Sequence, residues 1–135
     1  MSNQLSQIKL IRIIATALVV YIVGLIAVTL IVTVYATYLA FLSRGAPDQT
    51  MINDFANQNA PWIGPISLIL FTIFGAMHVA RRVDSTVVQA NGIALGVFVS
   101  IAYFFVGEGS LDLGFLLTTS LTIGAGWLGS KLVRK

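Results

Sequence analysis

The chain has 135 residues, 57% of them hydrophobic and 10% charged, with a formal net charge of +3 and no cysteine. So little charge cannot coat a soluble domain of this size, so the outside must be lipid. The lack of cysteine excludes disulfides, thiolate metal sites, cysteine-based catalysis and lipid attachment at cysteine, and eight Lys/Arg scattered at segment ends form no patch for nucleic acid.

Residues 1–12, MSNQLSQIKLIR, are polar but place Leu5, Ile8 and Ile11 on one helical face, with Ser2 or Asn3 as a cap. A short amphipathic lead-in at the membrane surface is expected there. It runs into Ile8–Leu42, whose only charges are Lys9 and Arg12 at the near end. As a helix this stretch would reach roughly 52 Å at 1.5 Å per residue, whereas about 20 residues cross a hydrocarbon core of about 30 Å. The run is also far longer than a cleaved signal core, so we expect a retained signal anchor. Span 1, about 13–42, therefore overshoots the bilayer from Val34 onward. Tyr35 and Tyr38 fit an interfacial aromatic belt, and the apolar Leu39, Phe41 and Leu42 beyond them need cover.

The loop 43–61 is the one sizeable polar stretch. Gly45 and Pro47 should stop the long helix. Asp48 can cap a short interfacial helix, closed by Pro61, whose Met51, Ile52 and Phe55 share a face. That helix either folds back over the projecting end of span 1 or lies on the membrane; alternatively it docks another subunit. Together Tyr38, Leu39, Phe41, Leu42, Met51, Ile52 and Phe55 make a candidate partner surface.

Span 2, 62–80, has Pro65 in its first turn, where a missing N–H costs little, and ends at Arg81 and Arg82. Span 3, 86–106, takes Asp84 or Ser85 as its cap, with Thr86 and Gln89 at capping-box spacing. After a tight turn at 107–110, span 4 runs over about 113–133. Positive residues orient the chain. Lys9, Arg12, Arg81, Arg82, Lys131, Arg134 and Lys135 share one side of a four-span topology, against Arg44 alone on the other. Both termini should be cytoplasmic, in the plasma or inner membrane of the cell, with 43–61 and 107–112 outside.

Small residues predict the packing. Span 4 repeats them every fourth position, at Gly114, Thr118, Thr122, Gly126 and Ser130, widened by Gly124 and Gly129. Span 3 has Gly92, Gly96 and Ser100, and span 2 has Gly75, Ala76 and Ala80. Such stripes let backbones approach closely. Span 1 has one glycine, Gly24, so spans 2–4 should form a tight bundle. Span 1 should join through a stripe of Thr29, Thr33 and Thr37 with Ala36 and Ala40, turning its aliphatic face to lipid or to a partner subunit.

Chemistry is sparse. The single histidine, His78, could ligate haem or a chlorophyll-type magnesium, yet it stands three residues from an arginine pair, where an interfacial imidazole is ordinary. Gln89, Asn91 and Thr118–Thr122 are read as interhelical hydrogen bonding, worth roughly 0.6 kcal/mol each. No Asp, Glu, Lys or Arg falls at membrane depth, where ion-coupled transporters keep one, and no dyad or histidine cluster suggests catalysis. The embedded span-1 glutamate of small multidrug exporters is missing, as are the paired cysteines of vitamin K epoxide reductases and disulfide-forming proteins. The Phe-Ser-Thr-rich signatures of fluoride channels are missing too.

The sequence thus reads as an all-α, four-span integral membrane protein with no enzyme activity, no metal and no cofactor. Its expected role is as a non-catalytic accessory, assembly or structural subunit held by the lipid bilayer and by other membrane subunits or copies of itself. The alternative is a small oligomeric channel or passive transporter lined by the glycine/threonine faces of spans 3 and 4. Pigment or haem binding through His78 is a further alternative.

Overall fold

A computed structural model describes residues 10–83, 86–106 and 111–133, in which four helices account for nearly every residue. Helix α1 is Leu10–Leu42, α2 is Gln49–Ala80, α3 is Val88–Val106 and α4 is Leu113–Leu132. Each is long and apolar enough to cross a membrane. The lead-in at 1–9, the caps expected at Asp84 and Ser85, the turn at 107–110, and Arg134 with Lys135 lie outside the described residues.

The helices come in two lengths. α3 and α4 have 19 and 20 residues, or about 30 Å each, which is one hydrocarbon thickness. α1 and α2 have 33 and 32 residues, or about 50 Å each. Counting back from Ala80, the first twelve residues or so of α2 therefore project past the ends of α3 and α4, alongside the far end of α1.

This projection departs from the short, separate helix expected in loop 43–61. Asp48 does cap, its carboxylate accepting from the Thr50 amide at 2.8 Å. However, the helix it starts runs unbroken through Pro61 and Pro65 to Ala80. Each proline removes one amide donor, a cost of about 3 kcal/mol in a regular helix interior. The affected turn is exposed at Asn57, Gln58 and Pro61, where water can serve a freed carbonyl. In return the outer turns gain a neighbour: Phe55 stacks on Tyr35 of α1 with ring centroids 3.9 Å apart. α1 stops at Leu42 in the predicted place but by another device. Arg44, not Gly45, takes the left-handed conformation, with φ at 51°. The Gly45 amide then donates back to the Ala40 carbonyl at 3.3 Å, the closing bond of a Schellman-type end.

Packing is layered. α2 and α3 are central, each touching the other three helices, while α1 and α4 flank them and do not touch one another. The core holds Ile13, Ala17, Val20 and Tyr21 of α1, Leu68, Ala76 and Val79 of α2, and Leu95 and Val99 of α3. α1 thus packs through an i, i+3, i+4 stripe in its first half. The threonine stripe does not take part: Thr29, Thr33 and Thr37 are exposed. Their hydroxyls donate to the carbonyls one turn back, at 3.0, 2.8 and 2.9 Å. That local bond satisfies each hydroxyl without any neighbouring helix.

Candidate functional site

The small-residue faces close on each other within one chain. The Gly92 carbonyl and Gly126 backbone meet so tightly that a Cβ on either glycine would collide, and Ser130 abuts Gly92. A Cβ at Gly96 would stand 2.7 Å from the Ile123 Cα and 2.8 Å from the Thr122 carbonyl oxygen. Gly129 seats α4 against the Ile73 backbone and Ala76 of α2. Ser100, Thr118, Thr122 and Ser130 are buried, and three of their hydroxyls return to their own helix: Ser100 to Gly96, Thr122 to Thr118 and Ser130 to Trp127. Two predicted members do not join. Gly114 is exposed and meets only Asp112 of its own first turn, and Gly124 has open space around it. α3 and α4 therefore touch at one end and part at the other. There Tyr103 and Phe104 pack on Phe115, and Ser100, Phe104, Phe115 and Thr119 line a groove of about 240 Å³.

The candidate partner surface divides. Tyr38, Phe41, Leu42 and Met51 are exposed, Phe41 to 82%. Leu39 is buried, and Ile52 and Phe55 are half-buried, the last engaged with Tyr35. The cover expected for span 1 exists, but it reaches only one side of the helix. Along the rest of α1, Leu18, Ile22, Leu25, Ile26, Leu30 and Val34 stay exposed. Only 22% of the most apolar stretch of α1 is buried, against 33% in each other helix.

His78 is exposed and stands alone. Among the described residues no group of three or more His, Asp or Glu could hold a metal ion. The imidazole instead borders a groove of about 390 Å³ between α1 and α2, lined by Arg12, Ala15, Thr16, Val19, Val20 and Val23 of α1 and by Phe71, Phe74, Gly75 and His78 of α2. Its floor exists because Gly75 has no side chain: a Cβ there would stand 2.7 Å from Val20 Cγ2. At its mouth the Arg12 guanidinium donates to the Arg82 carbonyl at 3.4 Å. Sequence reading missed this groove, although its signal was present. Residues 12, 15, 16, 19, 20 and 23 share one face of α1, and 71, 74, 75 and 78 share one face of α2. What the sequence does not state is that these two stripes face each other.

Asn91 is fully buried, its amide donating to the Val87 carbonyl at 2.8 Å. It bonds within its own helix rather than across helices. Compared with protein-family models, curated proteins and solved structures, the chain matches none.

Proposed function

We propose that this chain is a multi-pass protein of the cell membrane, both termini cytoplasmic, that serves as a non-catalytic assembly or structural subunit of a larger membrane complex. The observation that carries this reading is the unequal treatment of α1. It is the most apolar helix, its 33 residues exceed the roughly 20 a hydrocarbon core needs, and its flank from Leu18 to Phe41 is left open by the other three. Lipid tails could cover the embedded part of that flank, but not Tyr38, Phe41 and Leu42 beyond it. Large apolar side chains grouped outside the hydrocarbon mark an interaction site. The channel alternative finds less support, because the faces that would line its pore are spent on α3–α4 contact at Gly92, Gly96 and Gly126.

The test is site-specific photo-crosslinking in native membranes. A photoreactive residue at Leu30 or Phe41 is expected to capture another membrane polypeptide, while the same probe at Leu117 of α4 is not. Adducts to lipid alone at both α1 positions would overturn the proposal.

A further inference from the structure

The groove between α1 and α2 combines two features that nothing in the bundle itself requires. Its walls are apolar along Val19, Val20, Val23, Phe71 and Phe74, and its mouth is cationic at Arg12, with His78 beside it. Arg81 and Arg82 end α2 at the same level, and Arg12 reaches the Arg82 carbonyl. Among the described residues, the guanidinium groups of Arg12, Arg81 and Arg82 leave this end net positive. The groove also has a length. From Arg12 to Val23 it follows α1 for about 16 Å, half of a hydrocarbon core of about 30 Å. A cationic mouth at the interface above an apolar slot one leaflet deep is complementary to one kind of molecule.

We propose that the groove binds an anionic phospholipid of the surrounding bilayer, its phosphate held by Arg12 at the mouth and one acyl chain lying over Gly75 between the helices. Arg12 brings five N–H donors in a rigid fork, of which the Arg82 carbonyl takes one. The Thr16 hydroxyl at the mouth is spent on the Arg12 carbonyl at 2.8 Å, so the guanidinium is the group that reads the headgroup. Basic pockets between membrane helices hold anionic headgroups in this manner, and the groove volume lies within the range of small-molecule sites.

The experiment is native mass spectrometry of the full chain, delipidated in an uncharged detergent and titrated with phosphatidylglycerol or with phosphatidylcholine of the same acyl chains. Phosphatidylglycerol should be retained about tenfold more strongly: both lipids offer a phosphate, but the choline ammonium of phosphatidylcholine offsets its charge and is repelled by the guanidinium groups at the mouth. Arg12→Gln should remove that preference, whereas Arg44→Gln, at the other end of α1, should leave it intact. Ala15→Trp or Val19→Trp, each filling the slot from its exposed side, should weaken retention of both lipids. Folding of each variant is checked by helical circular dichroism. Equal retention of the two lipids, an unaltered preference in Arg12→Gln, or unaltered binding in both tryptophan variants would overturn the proposal. So would full competition by glycerol phosphate, since that would make the site a headgroup site without an acyl slot.

Discussion

Single glycines in this chain carry very different weights, although their spacing makes them look alike. Gly126 faces the Gly92 carbonyl, a backbone group that cannot turn aside. Gly126→Ala should therefore cost about 1–3 kcal/mol, as for other overpacked contacts. Gly124→Ala meets open space and should be neutral or stabilising by up to about 1 kcal/mol, since alanine is the better helix former. Reversible unfolding in mixed micelles compares the two, and equal effects would refute the close-approach account. The repeat at Thr118, Thr122, Gly126 and Ser130 was legible because small residues every fourth position make one groove. Its extension to Gly114 failed, because the helices have already parted at that level and Phe104 and Phe115 fill the gap. Gly124 failed for a simpler reason: two positions from Gly126 is nearly the opposite face.

At the scale of elements, four apolar spans could be read from hydropathy and length, but the start of α2 could not. Pro61 looked like a terminator because local chemistry makes proline one. The helix passes through it because Gln49–Ala60 has a neighbour to lie on, a tertiary fact with no local signature. The threonine stripe misled in the opposite sense, since a hydroxyl that bonds its own preceding turn needs no neighbouring helix. If packing on α1 holds the outer half of α2, removing the Phe55 ring should loosen that half alone. Aromatic stacking contributes about 0.5–1.5 kcal/mol beyond area burial. Phe55→Ala should thus raise amide hydrogen exchange across Gln49–Ala60 several-fold, leaving Ser67–Ala80 unchanged. Uniform protection in the variant would mean that the projecting turns stand without α1.

For the whole molecule, the distribution of charge says more than its sum. Arg12, Arg81, Arg82 and Lys131 gather at one end of the bundle, as the Arg12–Arg82 hydrogen bond requires and as antiparallel helices extend to α4. Asp48, Asp54, Asp112 and Arg44 lie toward the other. The Lys131 ammonium lies 4.8 Å from the Trp127 ring near the basic end, and exposed Trp62 lies toward the other, where such a ring favours headgroup level. The distance along α2 from Trp62 to Ala80 is about 27 Å, close to a hydrocarbon core. If the basic end is cytoplasmic, the α1–α2 head projects outside the cell. The chain has no cysteine, so single-cysteine variants report without background. In intact cells a membrane-impermeant maleimide should modify Asn57→Cys and spare Thr86→Cys until the membrane is permeabilised. The reverse pattern would invert the topology and put the head in the cytoplasm. Modification of both in sealed cells would mean that the two ends are not separated by a bilayer, and both the proposed assembly surface on α1 and the lipid groove beside it would lose their setting.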